Sequence, residues 1–289
     1  MARSRFRRTP ARLPPLRLTP RDDELLRDIA RLGCCLVPQL QALHFPSYKT
    51  AAERAMKLFH HRFLDRLSIE VENGQPAMIH VIGPEGRARL RELGVAAEER
   101  TPGDAAALAR AVAVAEVLTA FLVAGRRPGV VLPLAEAGPP LDGDGPVQPD
   151  AGVVIDVPAR LFRRVLLIDV ERDERDAAAD ERRARRYGAW RQWAAAGPVP
   201  VERALSRMLA RRGVADAPGR ARVSIGLVVR DAARLDVAAR EVSAVGCGPL
   251  FHLTTVDALR AEGAFAPVWV QARARLEKGD QAARTSVLE

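Results

Sequence analysis

The stretch PDAGVVIDVPARLFRRVLLIDVERD, residues 149 to 173, holds two short apolar runs, Val153 to Val157 and Val165 to Val170. They are joined by Pro158-Ala-Arg-Leu-Phe-Arg-Arg, and short runs of β-branched residues flanking a proline-led turn read as an antiparallel pair of strands. With the turn centred between Arg160 and Leu161, Asp150 faces Glu171 across the pair. Two carboxylates then meet at one end of the strands, and Asp173 lies on the same side because alternate strand residues share a face. Mg²⁺ and Mn²⁺ are hard ions that take oxygen ligands, keep several waters and can activate one of them against phosphate. Asp150, Glu171 and Asp173 are therefore candidate catalytic groups, with Asp150 and Glu171 as metal ligands and Glu116 of an upstream helix as a third. The competing reading has Asp150 capping a turn, with Glu171 and Asp173 paired to Arg182, Arg183 and Arg186 downstream.

Downstream of this stretch, a polar helix is predicted over about 176–196. Arg183, Tyr187 and Trp190 fall on one face at i, i+4 and i+7, beside Arg186 and Trp193. Interleaved arginines and aromatics can stack on nucleic acid, but for Trp190 and Trp193 a place in the core is the preferred reading. A mostly polar helix near 201–211, a strand Val223 to Val229, a helix Ala232 to Val242 and a short strand Pro249 to Thr254 follow. Upstream, the helix Asp104 to Ala124 is apolar almost throughout, interrupted by Arg110 and Glu116, which predicts a helix buried all round. Leu132 to Pro149 contains five prolines and reads as a loop. Strands mixed with helices in this way indicate an α/β or α+β domain, here about 104–275, with 276–289 as a frayed tail.

The amino-terminal third has a different pattern. Thr19-Pro20-Arg21-Asp22 signals a helix start, with Thr as N-cap, Pro at the first helical position and acids in the first turn. Leu25, Leu26, Ile29 and Leu32 follow at helical spacing up to Gly33. A short helix, about Val37 to Phe45, precedes a third opened by Pro46-Ser47 with Ala51, Ala55, Leu58, Phe59 and Phe63 on one face. Alternation at Leu67, Ile69 and Val71, then Asn73-Gly74, then Met78 to Ile82, is a strong hairpin signal. Three helices and a hairpin, closed by a short helix Pro84 to Leu93, is the order of a winged helix-turn-helix domain, here 19–95. In such a domain the third helix enters the major groove. That assigns Ser47, Tyr48, Lys49, Thr50, Arg54 and Lys57 to DNA, with Asn73 and Gln75 at the hairpin tip. A protein-interaction winged helix is the alternative, and His60 and His61 read as surface and packing residues rather than ligands.

Charge supports the DNA reading. The chain carries 45 Lys+Arg against 36 Asp+Glu, net +9, and only Lys49, Lys57 and Lys278 are lysines. Residues 1–66 hold 14 basic and 6 acidic residues, so almost the whole excess sits at the amino end, where a polyanion would be met. Residues 1–18, rich in arginine and proline, read as a flexible basic arm able to touch phosphates. A hydrophobic content of 48% excludes a disordered chain. The apolar runs are read as too short or too interrupted to span a bilayer, and no h-region follows the basic start, which predicts a cytoplasmic protein without membrane contact. Cys34, Cys35 and Cys247 make neither a disulfide framework nor a zinc spacing. No dinucleotide-binding or phosphate-loop glycine motif is present, and no GxSxG or HExxH, so the only cofactor expected is Mg²⁺ or Mn²⁺ at the carboxylates.

The helix bearing Glu116, the hairpin carrying Pro149-Asp150 and the strand ending in Glu171 resemble the layout of the PD-(D/E)xK nuclease-like fold. The motif lysine position is Asp173, and no lysine lies between Lys57 and Lys278. In some members of that fold the basic residue sits on the following helix, where Arg183 or Arg186 stands. An arginine there could neutralise phosphate charge but could not accept a proton. The order of motifs is similar to the replication-relaxation family of bacterial plasmid and mobile-element proteins. The matching pieces are Leu18-Thr19-Pro20-Arg21-Asp22, Pro149-Asp150, Val170-Glu171-Arg172-Asp173-Glu174-Arg175 and Arg183-Ala-Arg-Arg-Tyr187. The Val223 to Val229 strand and the segment Leu253 to Trp269 complete the resemblance, which spans about 18–270. It implies an α+β chain, an N-terminal winged helix-turn-helix domain followed by a restriction-endonuclease-like domain. The implied role is DNA binding in replication, relaxation or mobilisation of a plasmid or integrative element. Double-stranded DNA is the implied partner, with a relaxase or other mobilisation protein, or a second copy of the chain, as further ones. The family tends to carry Lys four residues before the tyrosine, a position held here by Arg183. Two other classes remain open: a metal-dependent DNA nickase or nuclease, and a transcriptional regulator whose second domain dimerises.

Overall fold

Asp22 organises the start of the first helix. Its carboxylate accepts from both the backbone N–H and the hydroxyl of Thr19, each at 2.7 Å, so the capping signal is realised and α1 runs Pro20–Leu32. The computed structural model describes residues 8, 15–70, 76–95, 104–138, 147–171, 179–195, 206–207, 209–210, 213–214, 220–248, 250–278 and 282–288. After α1, α2 (Val37–His44) begins where the Leu36 N–H donates to the Gln39 side chain at 2.8 Å. α3 (Tyr48–His60) begins at Ser47, whose hydroxyl accepts from the Thr50 N–H at 3.3 Å. Strands β1 (Leu64–Glu70) and β2 (Pro76–Ile82) then pair antiparallel, followed by α4 (Pro84–Glu92). Leu25, Leu26, Ile29, Leu32, Leu40, Leu58, Leu64, Ile79 and Leu90 are buried, in keeping with the helical and alternating spacings of the sequence. Gly86 lets α4 approach β1: a Cβ there would stand 2.2 Å from the Phe63 carbonyl oxygen.

His80 lies among these buried residues, 1% exposed, with no hydrogen-bond partner for either ring nitrogen. Burial, reinforced by the Arg66 charge, pushes its pKa down to about 4. Its folded pKa is below the unfolded value of about 6.5, so the stabilising contribution is full above pH 6.5. It is lost as pH falls towards 4, because only the unfolded chain takes up the proton. The expected loss is about 3 kcal/mol. In a pH series of denaturant melts followed by far-UV circular dichroism, His80→Leu is expected to flatten this acid limb; an unchanged limb would place the titrating group elsewhere.

Tertiary contacts divide the chain into two compact units, Met1–Thr119 and Ala120–Glu289. The division falls inside α5 (Ala105–Ala124), whereas the sequence reading ends the first domain at 95 and starts the second at about 104. α5 is also not buried all round: Leu108, Val114, Ala115, Val117, Leu118, Thr119 and Phe121 are buried, but Val123 is 40% exposed. By length and composition this one helix is apolar enough to cross a membrane, although 39% of its most apolar window is buried inside the protein.

The second unit is a mixed six-stranded sheet in the order β3-β4-β5-β6-β7-β8. Its strands are β3 (Val131–Ala137), β4 (Ala151–Val157), β5 (Phe162–Val170), β6 (Arg220–Val229), β7 (Phe251–Thr255) and β8 (Val270–Gln271). β3, β4 and β5 form an antiparallel meander, β6 and β7 run parallel to β5, and β8 is antiparallel again. Among the described residues its longer helices are α6 (Ala179–Ala195), α7 (Ala232–Ala244), α8 (Val256–Glu262) and α9 (Ala272–Lys278). Val165, Leu167, Ile225, Leu227, Phe251 and Leu253 from the sheet pack with Tyr187 and Trp190 of α6 and with Leu235, Ala238 and Val242 of α7. Phe121, Phe265 and Trp269 cluster separately, and Trp269 lies over Gly226, where a Cβ would meet its ring at 3.1 Å. The chain is thus α+β.

Three expectations are corrected here. Val131–Ala137, read as loop, is a strand, and Pro133 is tolerated because β3 is an edge with a register shift between Val131 and Leu134. The carboxyl end is not frayed where described: Trp269 and Thr285 exchange backbone hydrogen bonds at 3.2 and 2.7 Å, the Ser286 hydroxyl donates to the Phe265 carbonyl at 2.7 Å, and Ala282 and Val287 are buried. In the stretch read as a free arm, Arg8 is anchored. It donates to the Phe59 carbonyl at 3.1 Å, pairs with Asp65 and lies over the Phe59 ring. The rest of 1–14 and the helix expected near 201–211 lie wholly or largely outside the described residues.

Candidate functional site: a carboxylate–arginine cluster and the face of the third helix

The β4–β5 register places Ala151 opposite Ile168 and Val157 opposite Phe162. Extending it by one residue sets Asp150 against Asp169, not Glu171, a shift of two positions from the expectation. The cause is the turn. Pro158–Arg160 form a 3₁₀ turn closed by Leu161 in the left-handed conformation (φ 48°), so Phe162, Arg163 and Arg164, read as loop, already belong to β5. Arg163 is held there by Asp156 directly across the pair, through hydrogen bonds of 2.6 and 2.7 Å. A shift of two keeps the face, so Asp150, Asp169 and Glu171 still gather at one end of the sheet.

α6 lies over this end and supplies its cations. Arg186 donates to both oxygens of Asp169, at 2.7 and 2.6 Å, and to Asp150 at 3.0 Å. The indole N–H of Trp190 donates to Asp169 at 2.7 Å, and Asp150 also accepts from the Val170 N–H at 2.9 Å. Glu171 accepts from the Tyr187 hydroxyl at 3.1 Å and from Arg234 of α7 at 2.7 Å, with a second Arg234 contact alongside. Arg234 also donates to Glu241 at 3.2 and 2.6 Å. Arg183 stands 3.5 Å from Glu171 and 3.6 Å from Glu241.

The electrostatics match a closed network. Burial alone would lower the Arg234 pKa, but its bonds to Glu171 and Glu241 outweigh that and hold it above the usual arginine value. Burial, helped by the nearby Glu171 and Glu241 charges, pushes the Tyr187 hydroxyl well above its ordinary range, so it serves as a hydrogen-bond donor. Asp169 is 2% exposed and receives three of the bonds named above. Lone pairs that a divalent ion would need are thus directed at guanidinium groups. Among the described residues no group of three or more His, Cys, Asp or Glu side chains is placed to hold a metal ion. Asp150 and Glu171 belong to the second unit. Glu116 is a half-buried residue of the first unit, and Asp173 lies outside the described residues. The pairing of Glu171 with Arg183, and of the cluster with Arg186, corresponds to the competing structural reading. Trp190, fully buried, takes the core place preferred for it. Asp169, Arg234 and Glu241 were missed: Asp169 by the register shift, the other two because nothing local in their sequence points towards β5.

On the first unit, Tyr48 is 56% exposed and Lys49, Thr50 and Lys57 are exposed, with Met56 (40%) and Glu53 on the same helix. Ser47 and Thr50 are engaged with one another as the helix cap, their hydroxyl oxygens 3.0 Å apart. Arg54 does not belong with the exposed group. It donates through Nε to Asp22 at 2.7 Å, makes a second contact with the same carboxylate, and donates to the Arg17 carbonyl at 3.1 Å. Asp22 is 1% exposed, so the pair ties α3 to α1 and engages Arg54 within the unit, unlike Lys49 and Lys57. Asn73 and Gln75 lie outside the described residues.

Fold and site together define a two-unit α+β protein with a mixed sheet and a carboxylate–arginine cluster at one sheet end. Comparison with protein-family models, with curated proteins and with solved structures yields no match to this chain.

Proposed function

We propose that the protein binds double-stranded DNA through its first unit, as a winged helix-turn-helix module, in the manner implied by the replication-relaxation resemblance. The observation that carries this reading is the exposed face of α3. Tyr48, Lys49 and Lys57 are exposed, beside the exposed but cap-bonded Thr50, on the third helix of a three-helix and hairpin unit, in the part of the chain that holds nearly all the excess positive charge. Lysines and hydroxyls so placed can contact phosphates and base edges. In this reading the second unit is a PD-(D/E)xK-like domain. The order of its elements supports that: a strand preceded by Asp150, the next strand with Glu171 just after its end, then a helix bearing Arg183 and Arg186. The arginines occupying Asp150, Asp169 and Glu171 favour a structural cluster over a metal-dependent nickase.

The test is incubation of the full chain with supercoiled plasmid, with and without Mg²⁺ or Mn²⁺, for wild type and Asp150→Ala/Glu171→Ala. Retarded, uncut DNA with the wild type under every condition is expected. Metal-dependent nicking lost in the double variant would make the protein a nuclease, and no retardation at all would sink the DNA-binding reading.

A further inference from the structure

The other face of the same sheet holds a buried cation of a different kind. Arg164 is 7% exposed, and no ion pair ties it to a carboxylate among the described residues. Its one hydrogen bond is from a terminal guanidinium nitrogen to the Ser224 hydroxyl at 3.0 Å, and its Nε has no partner. In register, Arg164 stands directly beside Arg222 on β6. Both guanidinium groups lie over the Phe162 ring, at 5.7 and 6.0 Å from its centroid. His252 of β7, in register with Gly226, shares this face with Ser224 by alternation.

The charges here oppose one another. Burial, then the Arg222 charge, lowers the Arg164 pKa; burial, then the Arg164 charge, lowers that of His252 to about 4. Desolvating an unpaired guanidinium is costly, and folding does not by itself explain why this chain keeps one beside a second arginine. The Asp156–Arg163 pair one residue earlier shows that the same strand can hold a neutralised arginine.

We propose that Arg164, Arg222, Ser224 and His252 form a binding site for a dianionic phosphate group, either free or at the end of a nucleic-acid strand. Arg164 is the floor, its buried Nε without a hydrogen-bond partner, and Ser224 beside it carries a hydroxyl that can donate. Arg222 is exposed and His252 and Phe162 are half-buried, so they form a rim open to solvent. Two fixed cations and several donors suit a tetrahedral oxyanion of charge near −2, because planar guanidinium forks bind phosphate oxygens in pairs. Arg164 and Arg222 lie on the opposite sheet face from Asp169 and near the opposite end of β5, and the site does not depend on DNA binding by α3.

The experiment uses the full chain in phosphate-free buffer, in a Lys49→Ala/Lys57→Ala background so that α3 does not contribute. Trp190, Trp193 and Trp269 all lie in the second unit, so tryptophan fluorescence reports its melting directly. Inorganic phosphate is expected to raise that midpoint. Arg222→Gln, an exposed change, should weaken phosphate binding about tenfold, the cost of one charge-assisted contact. Arg164→Met should raise the midpoint without phosphate, since it removes the unpaired cation, and should abolish the response to phosphate. A 5′-phosphorylated dodecanucleotide and its unphosphorylated form identify the source. Tighter binding of the phosphorylated strand than of inorganic phosphate assigns the strand end, and no difference between the two strands assigns free phosphate. If neither inorganic phosphate nor the phosphorylated strand moves the midpoint, or if Arg222→Gln responds as the parent does, the site does not exist.

Discussion

Asp169→Ala is expected to destabilise the second unit by about 3 kcal/mol, within the range for breaking a buried ion pair from one side. The carboxylate is 2% exposed and is the only acceptor shown for the Trp190 indole N–H. Its removal leaves that N–H unsatisfied at the centre of the α6 packing and strips Arg186 of two of its three hydrogen bonds. The emission of Trp190, Trp193 and Trp269, all in the second unit, is the probe, in a urea melt at neutral pH. The sign of the change separates two readings of the cluster. Carboxylates gathered to hold a metal repel one another while the site is empty, so removing one relieves repulsion and stabilises the apo protein. Carboxylates already neutralised by arginines show the opposite, because the deletion leaves the half-buried Arg186 with Asp150 alone and the Trp190 N–H without an acceptor. Asp169→Asn should fall between, since an amide oxygen still accepts from Trp190 but carries no charge to hold Arg186. A wild-type melt for Asp169→Ala would count against the network.

What the sequence disclosed followed from how local each signal is. The Thr19-to-Asp22 start of α1, the burial of Leu25, Leu26 and Ile29, the pairing of β4 with β5 and the core place of Trp190 all rest on residues a few positions apart. Patterns of period 2 and 3.6 encode these directly. The β4–β5 register failed by two residues because Arg163 and Arg164 look like turn residues in isolation. Their places in β5 are set by neighbours on other strands: Asp156 pairs with Arg163, and Ser224 accepts one hydrogen bond from Arg164. Pro133 concealed β3 for a similar reason: whether a proline can sit in a strand depends on its being at an edge, which is a property of the sheet. In the same way Arg54 is indistinguishable in the sequence from Lys49 and Lys57. Its separation from them comes from Asp22, 32 residues earlier.

That separation sets the second large expectation, in which two kinds of basic residue on one helix fail in different ways. Lys49→Ala/Lys57→Ala should leave the melting of the first unit unchanged, since both side chains are exposed. If each contacts one phosphate, the slope of log K against log salt on duplex DNA falls by about 2 units, and affinity near physiological salt drops roughly thirtyfold. Arg54→Ala should do the reverse at first order. It leaves Asp22, 1% exposed, without its guanidinium partner and costs about 3 kcal/mol of stability, with any loss of DNA affinity following unfolding rather than a lost phosphate contact. The acid dependence gives an internal check. Burial alone would raise the Asp22 pKa, but in the wild type the bonds from Arg54 and Thr19 outweigh it and hold the value below 3.8. The stability from that lowered pKa is therefore complete above about pH 4 and is lost as pH falls through the folded value. In Arg54→Ala burial dominates, Asp22 takes up a proton more readily, and the gap in stability between variant and wild type should narrow on acidification. A gap that is constant with pH, or an Arg54→Ala protein that melts normally yet loses DNA with a reduced salt slope, would return Arg54 to the DNA-contacting face.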